Sequence, residues 1–244
     1  MINDRRMYSD LSWTWPIISP PEDYEIEASH FRDAIQKGSK IPAKTLLDLG
    51  CGGGHNDFHF KKWFQVTGID ISLAMLNNAR KLNPGVEYIQ GDMRSVRLGR
   101  QFDSVIIADS IMYMLTEDDM LAAFKTAFEH LKPGGAMCTY IEELPNNFKQ
   151  TTTVNETRKK GSTEITLIEH KWDPDKNDTT FEFLFIYIIK EGQDVGVEMD
   201  RHTCGLFFLN DWKRFLKETG FIIRTSRFKD DGGEVFLTCL KPDG

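Results

Sequence analysis

One ten-residue stretch constrains this chain more than any other: Leu46-Leu47-Asp48-Leu49-Gly50-Cys51-Gly52-Gly53-Gly54-His55. A short apolar run enters a glycine cluster and a helical pattern follows, which predicts strand, tight turn and helix. The turn carries almost no side chain, so a flat polar ligand can lie against its backbone. Asp48 stands two residues before the first glycine, placed to accept a hydrogen bond from a cationic group. Asp70 follows Gly50 by twenty residues, at the end of a second strand-like run from Val66 to Ile69. An acid there suits a ribose diol, because both hydroxyls are donors.

Strands and helices alternate from that point. Strands are predicted at Thr45–Leu49, Gln65–Asp70, Val86–Gln90, Phe102–Ala108 and Ala136–Ile141. Between them lie a short helix over His55–Phe64, a helix capped by Ser72, and a helix opened by Thr116-Glu117-Asp118-Asp119 and stopped by Lys132-Pro133-Gly134-Gly135. Such alternation implies a parallel sheet with helices on both faces, its ligand site at the carboxyl ends of the strands. After about residue 145 the pattern changes to β-branched and aromatic alternation, which predicts an antiparallel insertion of three or four strands. Asp173–Asp178 reads as a turn within it. Asn210 or Asp211 is expected to cap a last helix ended by Gly220, and two closing strands flank a hairpin signal at Asp230-Asp231-Gly232-Gly233. The expected organisation is an arm and helix over 1–40, a core over 41–145, the insertion over 146–205, and a last helix with closing hairpin over 206–244. The arm carries Tyr8, Trp13, Trp15 and prolines, so it covers core surface or lids the site.

The 244 residues, 40% hydrophobic and 27% charged, are enough for one domain with a full core. No apolar run reaches the ~20 residues of a membrane span, and the first residues lack the apolar segment of a signal peptide. Four scattered cysteines without a CxxC pair give neither a disulfide framework nor a zinc site, and the expected setting is cytoplasmic. A net charge of −7 opposes a nucleic-acid surface. His55 and His59 stand one helical turn apart, but no third metal ligand is evident; no metal is expected.

Two families open on strand, glycine turn and helix. In the dinucleotide fingerprint the last small position falls here on His55, too large for close helix–strand packing, and Asp48 would repel a pyrophosphate. The segment Asp48-Leu49-Gly50-Cys51-Gly52-Gly53-Gly54 instead resembles the first motif of class I S-adenosylmethionine (SAM)-dependent methyltransferases. Asp70 in Gly68-Ile69-Asp70-Ile71-Ser72 resembles their ribose-binding acid, Gly91-Asp92-Met93 their adenine segment, and Leu131-Lys132-Pro133-Gly134-Gly135 the turn before strand five. The resemblance spans roughly residues 40–141. It implies a Rossmann-like, mostly parallel seven-stranded α/β sheet, SAM as cofactor and S-adenosylhomocysteine (SAH) as product. It also implies a cofactor site of Asp48, Gly50, Cys51, Gly52, Gly54, Asp70, Ile71, Met75, Asp92, Met93, Ala108, Asp109 and Ser110.

Methyl transfer asks mainly for orientation, and an amine or hydroxyl acceptor must also lose a proton. Tyr8, Tyr113 and His202 are the candidate catalytic groups. Strand four is followed by Asp109-Ser110-Ile111-Met112-Tyr113 rather than an Asn/Asp-Pro-Pro-Tyr segment, and no Pro-Cys pair is present, which disfavours nucleic acid. The front of the chain and the stretch from Glu198 to Phe221 are similar to small-molecule and amino-sugar N-methyltransferases. That similarity implies a small acceptor, nitrogen before oxygen, and an insertion that covers substrate or joins a homodimer. The rival expectations are a non-catalytic SAM-binding scaffold and a nicotinamide oxidoreductase.

Overall fold

The computed structural model describes residues 5–227 and 235–243; the hairpin signal at Asp230–Gly233 lies outside them. Short 3-10 turns and helix α1 (Trp15–Ile18) form an ordered arm that leads into α2 (Glu25–Gly38). The core then runs β1 (Thr45–Leu49), α3 (His55–Phe60), β2 (Gln65–Asp70), α4 (Leu73–Leu82), β3 (Glu87–Gln90), β4 (Phe102–Ile107), α5 (Glu117–His130) and β5 (Leu131–Ile141). Four strands follow: β6 (Thr152–Lys160), β7 (Thr163–Trp172), β8 (Thr180–Glu191) and β9 (Asp194–Gly205). Helix α6 (Leu209–Thr219) and strands β10 (Ile222–Arg227) and β11 (Val235–Leu240) close the chain.

Seven strands make one sheet in the order β10-β11-β5-β4-β1-β2-β3. The pairs within β5-β4-β1-β2-β3 are parallel, and β11 joins β5 antiparallel. The strand order reverses between β1 and β4, so the turns that leave these two strands diverge and open a crevice at the carboxyl edge. The central strands are buried on both faces, which is why they read as continuous apolar runs. Leu47, Leu49, Val105 and Ile107 face α5 and α6, packing with Phe124, Trp212 and Phe215. Leu46 and Ile106 face the other way, against Phe31 and Ile35 of α2 and Phe60 of α3.

Three local expectations are corrected. Strand β5 begins at Leu131, not after the Pro-Gly-Gly turn, because Leu131 already pairs with Phe102 and a register shift before Ser104 absorbs the turn, with Gly134 at φ +76°. Helix α3 stops at Phe60 rather than Phe64. Helix α6 starts at Leu209 after Phe208, with no side-chain cap; Asp211 sits inside its first turn, where its charge suits the helix dipole. Ser72 and Thr116 do cap, accepting from the amides of Met75 and Asp119.

Strands β6 to β9 form a separate antiparallel sheet in chain order. Its inner face (Ile165, Leu167, Phe183, Phe185, Tyr187 and Ile189) packs on Met7, Leu11 and Ile18 of the arm. The arm is therefore held between the two sheets. It is pinned to the second by the Met7 amide donating to Asp200 (2.7 Å), and to α4 by Asn78 donating to the Ser12 carbonyl (2.7 Å).

Candidate functional site

The turns after β1, β2 and β4 enclose a cavity of about 470 Å³. The first turn passes through Gly50, Gly52 and Gly54 with φ of +82°, +52° and +73°. A Cβ on Gly50 would stand 2.1 Å from Ser110 Oγ, so this position is closed to other residues by conformation and by space. The Gly50 and Cys51 amides both donate to the Ile69 carbonyl (2.7 and 2.9 Å). Asp70 completes the fastening: Oδ2 accepts from the Gly52 amide and Oδ1 from the Ser72 amide, each at 2.8 Å. Burial raises its carboxyl above the usual range against the pull of those amides.

Asp48, Gly50, Cys51, Gly52, Asp70, Ile71, Met75, Asp92, Met93, Ala108, Asp109 and Ser110 line this cavity. Gly54 does not. It precedes α3, its carbonyl accepts from Asn83 Nδ2 (2.7 Å), and a Cβ there would meet Tyr88 Oη at 2.6 Å. Its place is in packing α3 and α4 behind the turn. Asp92 meets the cavity as half of an ion pair: Arg94 holds its carboxylate at 2.6 Å and reaches Asp119 at 2.7 Å. The Arg94 hydrogen bond keeps the Asp92 carboxyl below its usual range. Burial pushes the Cys51 thiol well up, so it stays protonated.

These features fit SAM. A bare-backbone cradle admits a ligand where any side chain would intrude, and the buried Oδ1 of Asp48 has no hydrogen-bond partner in the protein. Asp70 stands at the end of β2 where a ribose diol would find an acceptor. The arm roofs the cradle: Trp15 stacks on His55 (centroids 6.0 Å apart), and a Cβ on Gly53 would strike the Trp15 ring at 2.8 Å. Burial pushes the His55 imidazole down to about 4, so it is neutral. His59 contacts the Pro21 carbonyl (2.8 Å), and no group of three or more metal-ligating side chains gathers among the described residues.

A second cavity, of about 570 Å³, lies between the arm, the inner face of the β6–β9 sheet and the end of β5. Tyr8, Trp15, Asp109 and Tyr113 line both cavities and form the boundary between them. Here the three candidate catalytic residues, from three distant parts of the chain, join in one hydrogen-bonded row. Tyr8 Oη lies 2.8 Å from Tyr113 Oη, Tyr113 Oη lies 2.8 Å from His202 Nδ1, and His202 Nε2 lies 2.7 Å from Asp200 Oδ2. His202 is wholly buried behind Tyr113 and lines neither cavity, so it reaches them only through the two phenols.

Burial works against the charge of Asp200, but hydrogen bonds from His202 and the Met7 amide outweigh it and hold the carboxyl below its usual range. An ionised Asp200 only accepts. With the His202 ring carrying one proton, Nε2 donates to Asp200, Nδ1 accepts from Tyr113, and Tyr113 accepts from Tyr8. Burial raises both phenols, so both are protonated.

Sequence reasoning missed Asp200, Asp57 and Arg5. Asp200 had a signal: it lies two residues from His202 and so shares its face of the strand. Asp57, wholly buried beside Asp48, and Arg5, stacked 3.9 Å over the Tyr113 ring, had none.

A methyltransferase-domain family model matches residues 46–135. The dTDP-3-amino-3,4,6-trideoxy-alpha-D-glucopyranose N,N-dimethyltransferase of Streptomyces venezuelae is 32% identical over 88% of this chain and 91% of its own. The dTDP-3-amino-3,6-dideoxy-alpha-D-glucopyranose N,N-dimethyltransferase of Streptomyces fradiae is 28% identical over 83% of this chain and 79% of its own. The crystal structure of Streptomyces venezuelae DesVI superposes with a TM-score of 0.84 at 25% identity, covering 99% of this chain and all of that one. The chain belongs to the class I SAM-dependent methyltransferases, in their amino-sugar N-methyltransferase subgroup.

Proposed function

We propose that the protein methylates an amine of a small molecule held in the second cavity. The observation that carries this reading is the meeting of the two cavities at Tyr8 and Tyr113, with a proton-accepting row behind them. SAM, when bound, supplies a methyl group already activated by its sulfonium. The chain's own residues supply position and a path for the acceptor's proton. Tyr8, its proton donated towards Tyr113, offers an oxygen lone pair to an acceptor N–H. Proton transfer along the row ends at His202 Nδ1, and Asp200 stabilises the imidazolium so formed.

The acceptor chamber is acid-rich. It is lined by Asp23, Asp109, Glu142, Glu156 and Glu169, against one guanidinium, Arg158, that is already paired with Asp23 (2.8 Å) and Glu156 (2.7 Å). Such a lining favours an ammonium-bearing acceptor and repels a diphosphate placed inside it. The two Streptomyces relatives described above are named for dTDP-linked amino sugars; here a nucleotide part would have to lie outside the chamber. We read residues 1–40 as the lid and 146–205 as the acceptor cover, supported by the arm lining both cavities. The exposed Val195, Val197 and Met199 on the outer side of β9 support a homodimer through the insertion. Four free cysteines support a cytoplasmic setting. Among the described residues no helix is long and apolar enough to cross a membrane.

The test is SAH formation from SAM with a panel of amines and matched alcohols, the product identified by mass spectrometry. N-methylated product is expected. SAH binding without turnover of any acceptor would favour the scaffold reading.

A further inference from the structure

Beneath the glycine cradle, the carboxyl of Asp48 has a neighbour, Asp57, that has no role in the reading above. Asp57, in the first turn of α3, is wholly buried, and neither of its oxygens receives a hydrogen bond. Asp48, at the end of β1, is 2% exposed; its Oδ1 is equally unpartnered, and it lines the cofactor cavity. The two carboxyl groups are neighbours. Two buried carboxylates side by side cannot both stay ionised, and an unpartnered buried charge is more costly than an unpartnered neutral group. One proton between them supplies the missing donor and removes one charge.

The surroundings favour keeping that proton. Asp48 faces Asp57, Asp70 and Glu27, all acids, and the thiol of Cys51 stays protonated beside them. Burial pushes the Asp57 carboxyl up to about 6 against the Tyr88 hydroxyl and, farther out, Lys61, whose ammonium is held by Asn83 Oδ1 (2.9 Å). His55, two residues before Asp57, is kept neutral by burial and offers no positive charge. Among the described residues no cation forms an ion pair with either carboxyl.

We propose that Asp57 is a positioning residue that shares one proton with Asp48 until a cationic group of the cofactor reaches Asp48, whereupon the pair releases the proton to solvent. The inference rests on the SAM reading of the first cavity. The step balances: an O–H bond of the pair breaks, both carboxyls are left ionised, and the proton passes to buffer. Asp57 acts only through Asp48, since it does not line the cavity.

The experiment is calorimetric titration of the full chain with SAH, which carries the ammonium, in two buffers of different ionisation enthalpy near pH 6. Release of most of one proton per SAH is expected, with affinity rising as pH rises towards 8. In Asp57→Asn the amide donates to Asp48 permanently, so SAH still binds while proton release falls several-fold and the pH dependence flattens. SAH binding without proton release, or equal release in the variant, would overturn the proposal. Infrared difference spectra give a readout that does not need the variant to fold: the band of a protonated carboxyl must be present in the ligand-free protein and vanish with SAH, and its absence also overturns the proposal. Failure of SAH to bind at all would instead strike the SAM reading, and the ligand-free band would still decide whether the pair holds its proton.

Discussion

The two chambers that meet at Tyr8 and Tyr113 are built by opposite means. The cofactor chamber is made chiefly from turns that leave neighbouring strands of one parallel sheet, each a few residues long and each recognisable by itself. The acceptor chamber is made from parts far apart in the chain: Met7 donates to Asp200 across 193 positions, and Tyr113 meets His202 across 89. The first is fixed by backbone conformation at glycines. The second is fixed by side chains that an arm presses against a separate sheet. The difference teaches where each kind of substitution should do damage: to cofactor affinity at the sheet edge, to turnover at the seam.

The largest effect is expected for Gly50→Ala. Positive φ costs a non-glycine residue about 1–3 kcal/mol, and forcing a methyl group into packed space costs about 1–3 kcal/mol more. The added atom must displace Ser110, on the cavity wall, so the loss falls on SAH affinity, by more than ~10²-fold, read by calorimetry. Gly85→Ala is the control: φ there is +93° but nothing lies within 4 Å. It is expected to lower stability by about 1 kcal/mol and leave SAH affinity unchanged. Equal loss of affinity in both would break the distinction between space and strain.

Tyr113→Phe attacks the seam. It removes the hydroxyl that links Tyr8 to His202 while keeping the ring under Arg5. Positioned proton transfer contributes about 10²–10⁴-fold, so kcat should fall by about 10²-fold with SAH affinity unchanged. Asp200→Asn should lower kcat in the same sense and shift the pH–rate profile, because the imidazolium loses its counter-charge. A parallel loss of kcat and cofactor affinity would show that the two chambers are not separable.

How much was legible follows from the same contrast. The order of strands and helices, the caps Ser72 and Thr116, and the placing of Asp48, Gly50 and Asp70 on one cavity were readable because each depends on residues close in sequence. Gly54 was misplaced because a glycine in a ligand motif and a glycine under a packed helix look alike in sequence; only Tyr88 and Asn83, folded against it, distinguish them. His202 was singled out by type, but that it lies behind Tyr113 follows from the pairing of β8 with β9. Asp57 was invisible because its meaning comes from burial beside Asp48. Trp15 was legible as part of an aromatic arm, but not as the ring that roofs Gly53.

His55 tests that roof through pH. Its imidazole, held at about 4 by burial, has an ordinary value near 6.5 when unfolded. The unfolded chain therefore binds the proton first, and stability is lost as pH falls from about 6.5 towards 4, by at most about 3 kcal/mol. The Asp48–Asp57 pair acts in the opposite sense over part of this range, since burial raises both carboxyls and the folded chain binds the proton first. The measurement is thus a difference: melting temperature against pH for the native chain minus that for His55→Gln. Acid should destabilise the native chain more than the variant. A flat difference would mean that His55 is hydrated and the arm does not seal the cradle.

The smallest effect is expected at Ser72, where the two building modes share one hydroxyl. Its oxygen accepts from the Met75 amide (3.1 Å) and caps α4, a role visible in sequence. Its proton goes to the Tyr8 carbonyl, a tie to the arm that sequence does not show. Ser72→Ala removes both, and losing the cap alone costs about 1 kcal/mol. Stability by denaturant melt reports the sum, whereas protease sensitivity of the arm reports only the tie. If the tie matters, cleavage within residues 5–24 should rise more than the fall in global stability accounts for, and SAH should suppress the excess by packing beneath Trp15. If cleavage rises only in proportion to stability, the hydroxyl serves the helix alone, and the arm is held by Asp200, Asn78 and the apolar face of the second sheet.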